Sequence, residues 1–374
     1  MFLPSGSQDD IGRVVSSRNT VYEIFRNVAT MRGYKEISTP VVEYANTFTN
    51  PYVGMKLQEM LKWFNGDGEI EVLRPDWTTA ISRALRNHKG DQQKWAYQGS
   101  VFRREKPGIE SRQVGIELIR TSSLLGESEC LLMANHFLSR LKAKDFIIEL
   151  GHTEIFEELS RSLVLSEEKA ESLRLAMHDK RRDEVYRIVM ENNSKEAAEE
   201  LSELVHAYGP FEMINQYEKR WKDRPLLLNV IQHLKKLAHI LKESGINDLL
   251  IDLGRVKNLP YYSGTMFRGY FKESGAICFS GGRYDHLYDQ FQKNVSAVGL
   301  AFDVDILAEQ LEFKDSPKKL LVIASDDSLA YAEKLRKQYG DYIVDVRYEQ
   351  NSEAVYDKVI IIQKTSEDYE VIEQ

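Results

Sequence analysis

The chain has 374 residues, of which 42% are hydrophobic and 29% are charged, as in soluble globular proteins with two or three domains. Its net charge of −8 provides no general attraction to nucleic acid, so RNA binding would require a local basic patch. No run of about 18 apolar residues and no secretory leader pattern occurs, so we expect neither a membrane-spanning nor a secreted protein. The two cysteines, Cys130 and Cys278, lie in apolar runs and are predicted to be buried and reduced, as in a cytoplasmic protein.

The first predicted element is a long amphipathic helix. Apolar residues recur at three- and four-residue spacing from Ile11 to Ala29, and Gly33 follows as a left-handed C-cap. Residues 35–43 are predicted to be extended and are interrupted by Pro40. A helix packed on the edge of a sheet would show the same pattern, so this pair does not identify a fold by itself.

A β-hairpin is predicted next. Residues 61–64 and 69–73 flank Asn65-Gly66-Asp67-Gly68, which supplies the positive φ angles that a tight turn requires. The second strand leads directly to Asp76 and Thr78. A buried carboxylate costs roughly several kcal/mol to desolvate unless a cation meets it. Asp76 therefore either faces a cationic group or caps the following helix through a backbone amide two or three residues later.

Two strand-like segments, residues 95–105 and 111–119, are joined by a short loop. The first segment ends in Phe102-Arg103-Arg104-Glu105, and the second carries Gln113 and Glu117. Because side chains alternate between the faces of a strand, Gln113 and Glu117, four residues apart, are predicted to project from the same face.

A helical region follows the strand-like run at residues 146–152. From about residue 157 to residue 244, Leu, Glu, Lys and Ala recur at helical spacing without a strand pattern. After residue 316, apolar runs and a helical pattern predict a small α/β unit. The predicted organisation has four segments: a first core part at 1–156, a helical insertion at 157–244, a second core part at 245–315 and a reduced α/β C-terminal domain at 316–374.

Most of the chemistry-bearing sequence lies between residues 248 and 307. Residues 248–256 and 264–271 are predicted to be adjacent strands of a central sheet. Between them stands Lys257-Asn258-Leu259-Pro260-Tyr261-Tyr262-Ser263-Gly264, and Gly281-Gly282-Arg283-Tyr284-Asp285 follows. Such tyrosines either pack in a core or offer aromatic faces and hydroxyl groups to a small ring.

Together these segments resemble the histidyl-tRNA synthetases and the synthetase-like ATP phosphoribosyltransferase regulatory subunits. The helix and strand before residue 43 resemble the dimer-forming motif of class II aminoacyl-tRNA synthetases, and residues 95–119 resemble their second motif. The resemblance implies an α+β fold: a class II aminoacyl-tRNA-synthetase-like antiparallel sheet flanked by helices, with a helical insertion and a small α/β C-terminal unit.

The same resemblance implies a histidine-binding pocket. At the matching positions, Asp76 and Thr78 would meet the α-ammonium group, Arg103 would lie near the carboxylate, and the tyrosines would contact the imidazole. The predicted binding residues are Asp76, Thr78, Arg103, Gln113, Glu117, Tyr261, Tyr262 and Tyr284.

Several positions depart from the synthetase pattern at the ATP site. Lys257 replaces a catalytic arginine whose planar fork a lysine cannot reproduce, and Pro260 replaces an aspartate. Asp303 and Ile306 stand where the third motif has glycine and arginine, and the loop at 106–112 is short. One lost charge-assisted contact is worth roughly 1.5–3 kcal/mol. We therefore expect no amino-acid activation, and we expect Arg103 and Glu105 to form an ion pair in the sheet instead of binding ATP.

No metal or cofactor is predicted, because the histidines lack ligand spacing and no phosphate loop or nucleophile turn occurs. The resemblance implies a non-catalytic regulatory subunit for the first step of histidine biosynthesis. It would activate the short-form ATP phosphoribosyltransferase catalytic subunit and mediate feedback inhibition by L-histidine, as a homodimer within a hetero-octamer. The acidic C-terminal stretch predicts no tRNA binding. The alternatives are a divergent histidine-tRNA ligase and an interaction module that has lost its ligand.

Overall fold

The computed structural model describes residues 2–88, 90–104, 108–143, 145–191, 194–256, 260–291, 294–311, 318–349, 355–365 and 368–373. The chain forms two compact units, residues 1–311 and residues 312–374. No helix among the described residues has the length and apolar character needed to cross a membrane.

Strands and helices occur in consecutive runs along the chain. The strands are β1 (Lys35–Glu36), β2 (Val42–Tyr44), β3 (Lys62–Phe64), β4 (Ile70–Leu73), β5 (Gln93–Phe102), β6 (Glu110–Ile119), β7 (Phe146–His152), β8 (Tyr208–Pro210), β9 (Leu249–Asp252), β10 (Thr265–Phe271), β11 (Ile277–Arg283), β12 (Ala297–Asp303), β13 (Lys318–Ile323), β14 (Tyr342–Arg347), β15 (Lys358–Lys364) and β16 (Tyr369–Glu373). The helices are α1 (Arg13–Met31), α2 (Asn46–Thr49), α3 (Trp77–Leu85), α4 (Ser123–Arg140), α5 (Thr153–Ser160), α6 (Glu167–His178), α7 (Arg182–Met190), α8 (Lys195–Leu204), α9 (Ile214–Arg220), α10 (Pro225–Glu243), α11 (Val304–Glu309) and α12 (Leu329–Gln338).

A nine-stranded sheet organises the first unit, in the order β1-β5-β6-β12-β11-β10-β7-β9-β8. Neighbouring strands in this sheet run antiparallel, except in the β1–β5 and β7–β9 pairs, which are parallel. The predicted α+β class with an antiparallel sheet flanked by helices is confirmed. The expectation that residues 248–256 and 264–271 form adjacent strands is wrong, because β7 pairs with both β9 and β10 and lies between them. Strands that follow each other in sequence often pair, but an earlier strand can separate them.

The main hydrophobic core covers one face of this sheet. On β6, Val114, Ile116 and Leu118 belong to the core, together with side chains from α1, α4 and α10. Phe137 contacts the rings of Phe25 and Phe302 edge-to-face, at centroid distances of 5.3 and 4.8 Å. Because strand side chains alternate between faces, the intervening residues of β6 face the other side of the sheet.

Three local predictions near the N-terminus are confirmed. Helix α1 occupies the predicted amphipathic segment, and Gly33 follows it with a φ of 77°. Strands β3 and β4 form the predicted antiparallel hairpin, and Gly68 in its turn has a φ of 84°. Strands β5 and β6 pair antiparallel along ten residues each, as expected for the second motif.

The region between β7 and β9 is mainly helical and contains α5 to α10. The sequence predicted no strand in this region. That prediction is wrong, because β8 interrupts the helices and pairs with β9 at the edge of the sheet. Lys180 also fastens this region to the sheet, since its Nζ lies 2.7 and 3.0 Å from the carboxylate oxygens of the buried Asp252.

The second unit contains a four-stranded sheet in the order β14-β13-β15-β16. Its core joins Leu320 and Val322 of β13 to Leu335 of α12 and Ile360 of β15. The predicted strands and helix are present. The acidic end of the chain also forms a strand, β16, which the sequence predicted only as an acidic stretch.

Candidate functional site

A cavity of about 890 Å³ opens on the face of the central sheet opposite the main core. This volume lies within the range of small-molecule binding sites. Seven of the eight residues predicted to bind histidine line it, and the eighth, Glu117, hydrogen-bonds to two of the lining residues. The lining residues that were predicted are Asp76, Thr78, Arg103, Gln113, Tyr261, Tyr262 and Tyr284.

Sheet geometry explains why these side chains meet. Gln113 and Glu117 alternate with core residues of β6, so both face the cavity side, as predicted. Glycines on the neighbouring strands make room for them. A Cβ on Gly299, which is paired with Glu117 across β12 and β6, would collide with the Glu117 carboxyl group. Any larger residue at this position would displace the carboxyl group.

Glu117 is a buried carboxyl group with neutral partners. Its side chain is 1% exposed, Thr78 Oγ1 donates to Oε1 at 2.8 Å, and the Tyr284 hydroxyl donates to Oε2. Burial raises its pKa to about 8, because the two hydroxyl groups offset only part of the desolvation and the charge of Asp76 raises the pKa further. Both hydrogen-bond partners among the described residues are uncharged, and no described residue supplies a cation to the carboxylate form.

Asp76 has the capping role that the sequence allowed. Its Oδ2 accepts hydrogen bonds from the backbone N–H and the hydroxyl of Thr79, both at 2.7 Å, at the start of α3. Its Oδ1 faces the Arg103 guanidinium at 4.0 Å, while Arg103 Nε donates to the Pro75 carbonyl at 2.6 Å. Asp76 thus caps a helix and borders the cavity at the same time.

Three tyrosines, Tyr261, Tyr262 and Tyr284, form one wall of the cavity. The rings of Tyr261 and Tyr262 lie 5.1 Å apart, and Tyr284 contacts Tyr261 edge-to-face at 6.2 Å. Burial raises the pKa of Tyr262 to about 12, so its hydroxyl stays protonated and can donate at neutral pH. Tyr97 also lines the cavity, and sequence reasoning missed it. Tyr97 pairs with Gly115 across β5 and β6, and the missing side chain of Gly115 leaves space for the Tyr97 ring. A glycine opposite an aromatic residue is the signal that could have identified Tyr97.

The helical region supplies part of the cavity wall. Four residues of α6 line the cavity, and so do Lys56 and Glu59 from the segment before β3. Arg174 is held by Glu171 through two bonds of 2.7 Å. The sequence predicted helices in this region, but none of its residues was assigned to a site. The placement of α6, whose Leu173, Ala176 and Met177 are buried in the main core, brings its charged residues to the cavity. The α6 lining residues are Glu171, Arg174, Leu175 and His178.

The positions that depart from the synthetase pattern have local roles where they are described. Asp303 caps α11, because its Oδ1 accepts from the backbone N–H groups of Asp305 and Ile306 at 3.0 and 3.1 Å. The Ile306 side chain packs against the main core. Lys257 and Glu105 lie outside the described residues. No cluster of three or more metal-ligating side chains occurs in the described part of the chain.

Comparisons with known proteins identify the family of the chain. A model of the family described as histidyl-tRNA synthetase matches residues 8–307. An ATP phosphoribosyltransferase regulatory subunit from Bacillus mycoides is 30% identical over 347 residues, covering 89% of this chain and 82% of the relative. One from Clostridium acetobutylicum is 30% identical over 322 residues, covering 83% and 79%.

A crystal structure shows the same fold. It is titled as an ATP phosphoribosyltransferase regulatory subunit/histidyl-tRNA synthetase from Bacillus halodurans, and it superposes with a TM-score of 0.82. The match covers 96% of this chain and 97% of that chain at 24% sequence identity. At this identity, the likeness concerns the fold alone.

Proposed function

The chain belongs to the histidyl-tRNA-synthetase-like family of ATP phosphoribosyltransferase regulatory subunits, and from this premise we propose that it is a non-catalytic subunit that senses L-histidine. Its partner is the short-form ATP phosphoribosyltransferase catalytic subunit, which it activates in the first step of histidine biosynthesis and inhibits when histidine is bound. It works in the cytoplasm as a homodimer within a hetero-octamer.

The observation that carries this proposal is the buried carboxyl group of Glu117, which has no cationic partner among the described residues and hydrogen-bonds to Thr78 and Tyr284 in the wall of the cavity. A zwitterionic amino acid brings one cation and one anion. Its α-ammonium group suits the side occupied by Asp76, Thr78 and Glu117, and its carboxylate suits Arg103. The imidazole of histidine suits the tyrosine wall and Gln113, where ring contacts and neutral hydrogen bonds combine.

The same cavity is poorly suited to ATP. The third-motif arginine of the synthetases is replaced by Ile306, which packs against the core, and the glycine by Asp303, which caps α11. A bound triphosphate requires preorganised positive charge, above all in the transition state. These replacements support a subunit that binds an amino acid without activating it.

Exposed apolar side chains support self-association. Val14, Val15 and Met31 on α1 and Val42 and Tyr44 on β2 are all exposed in the single chain. Val14, Val15, Met31 and Val42 lie in the segments that resemble the dimer-forming motif, and Tyr44 directly follows them. Exposed apolar surface favours association. The proposed organisation places the core at residues 1–156 and 245–315, the helical insertion at 157–244 and the C-terminal domain at 316–374.

Reconstitution tests the proposal. The chain should co-purify with a short-form catalytic subunit and raise its transferase activity, and added histidine should reduce that activity. Calorimetry should show histidine binding to the chain alone. A catalytic subunit that is equally active with and without this chain would contradict the regulatory role. Histidine-dependent pyrophosphate exchange would instead support the divergent ligase, and we expect none.

A further inference from the structure

A second buried glutamate lies near the cavity. Glu127 on α4 is 1% exposed, and its carboxylate accepts hydrogen bonds from Arg283 Nε at 3.1 Å and from Thr265 Oγ1 at 3.0 Å. His233 Nε2 of α10 lies 2.5 Å from the same carboxylate. Three separate elements, β10, β11 and α10, therefore meet at one side chain of α4.

Two of these partners stand at the ends of the segments that carry the tyrosine wall. Thr265 begins β10 and follows Tyr262 by three residues, while Arg283 ends β11 and immediately precedes Tyr284. A single carboxylate thus anchors both segments. Gly264 permits this arrangement, because a Cβ there would lie 2.9 Å from Cδ of the Arg283 side chain.

The anchor extends to the other side of Tyr284. Arg283 Nη1 donates to Asp285 Oδ1 at 3.0 Å, and the same oxygen accepts from the Ala297 backbone N–H at 2.6 Å. The Asp285 backbone N–H donates to Ser263 Oγ at 2.8 Å, which connects this segment to the one carrying Tyr262. The residues on both sides of Tyr284 are therefore fixed.

The charge of Glu127 is already balanced within the protein. Burial would raise its pKa, but the hydrogen bond with His233 and the charge of Arg283 outweigh burial and lower the pKa below its ordinary value. A balanced carboxylate of this kind has no need of a ligand cation. Its role is to hold other groups in place.

We propose that Glu127 is a positioning residue for the cavity: by anchoring Thr265 and Arg283 it fixes the tyrosine segments, and through His233 it makes α10 part of the same anchor. This inference rests on the proposed histidine site. It follows that a change on α10, in the helical region, alters histidine affinity even though His233 is not a lining residue of the cavity. The histidine site and the helical region are thus coupled.

A matched pair of variants on α4 tests the anchor. Glu127→Gln keeps the side-chain shape but removes the charge that holds Arg283. Glu129→Gln is the control, because Glu129 also lies on α4 and also pairs with two cations, Arg32 and Lys94. These two residues and Tyr34, which also hydrogen-bonds to Glu129, are not among the residues that line the cavity. Both changes should reduce thermal stability. Only Glu127→Gln should weaken histidine binding in calorimetry, by about tenfold, which corresponds to about 1.4 kcal/mol.

A second pair on α10 keeps the test decisive if Glu127→Gln does not fold. His233→Ala removes the partner of Glu127 and should weaken histidine binding several-fold, while His233→Gln restores a donor and should recover most of the affinity. His239→Ala changes an exposed residue of the same helix and should have no effect. If the folded Glu127→Gln and His233→Ala proteins bind histidine as tightly as the wild type, the positioning role of Glu127 is overturned and the proposed function is not affected. A wild-type chain that fails to bind histidine would overturn the proposed function with it.

Discussion

Glu117 and Glu127 are equally buried, but their surroundings are opposite. Glu127 meets an arginine and a histidine, and its pKa is lowered. Glu117 meets two neutral hydroxyl groups, and its pKa is raised to about 8. Burial alone therefore does not distinguish a binding group from a structural one. The distinction lies in whether the protein supplies the counter-charge or leaves it to a ligand.

The largest expected effect is at Glu117. Glu117→Gln should weaken histidine binding by about 100-fold, because hydrogen bonds to charged groups contribute roughly 1.5–3 kcal/mol. The variant should be no less stable than the wild type at pH 7, since it removes a carboxyl group whose ionisation burial opposes. Calorimetry and thermal unfolding measure the two effects. Glu110→Gln, at the exposed start of β6, is the control, and equal histidine affinity in both variants would contradict the comparison.

The next effect concerns the tyrosine wall. Tyr262→Ala should raise the histidine concentration for half-inhibition of the reconstituted transferase by about tenfold, because an aromatic contact and a hydroxyl group are lost. Assembly with the catalytic subunit should not change, as size-exclusion chromatography would show. Tyr186→Ala removes an exposed tyrosine on α7 and should leave inhibition intact. Loss of assembly in Tyr262→Ala would point to a structural role instead.

The pH dependence of histidine binding tests the role of Glu117 further. With a pKa of about 8, Glu117 is mostly protonated at pH 7, and binding an ammonium group requires its carboxylate form. Histidine affinity should therefore rise about fivefold between pH 7 and pH 8 and by at most about twofold more above pH 8, with nearly one proton released per histidine at pH 7. Titrations in buffers of different ionisation enthalpy measure that release. Glu117→Gln should abolish it, and persistent proton release in the variant would assign the proton to another group.

The raised pKa of Glu117 also predicts how the stability of the folded chain changes with pH. The folded-state pKa of Glu117 lies above its ordinary value of 4.5, so the unliganded folded chain holds a proton that the unfolded chain releases. This group therefore contributes stability below about pH 4 that is lost as the pH rises to about 8. Chemical unfolding at several pH values should show this contribution in the wild type and its absence in Glu117→Gln. An identical pH profile for the two proteins would refute the shift.

The smallest expected effect is at the rim formed by α6. Arg174→Ala should change histidine affinity by about twofold, because Arg174 is partly exposed and already paired with Glu171. Arg187→Ala on α7, an exposed arginine paired with Glu191, should have no effect. A tenfold loss in Arg174→Ala would show that the helical region, and not only the sheet, holds the ligand.

Local patterns predicted much of the fold and many residues of the site. The spacing in α1, the turn at residues 65–68 and the alternation on β6 each depend on near neighbours in sequence. Tyr262 and Tyr284 stood in motifs with a recognisable resemblance. These features could be predicted because their physical causes are contained within short segments.

The remaining features depend on contacts between distant segments. The insertion of β7 between β9 and β10, and the approach of α6 to the cavity, follow from packing across the whole first unit. Glu127 drew no attention in the sequence because its partners come from residues 233, 265 and 283. Its environment, unlike its residue type, could only be known from the structure.

A crystal of this chain soaked with L-histidine tests the central claim most directly. The account predicts electron density for one amino acid in the cavity, with its ammonium nitrogen within hydrogen-bond distance of the Glu117 carboxylate and its ring against Tyr261, Tyr262 and Tyr284. Histidine bound elsewhere, or an ATP molecule ordered in this cavity with all three phosphates held, would contradict it.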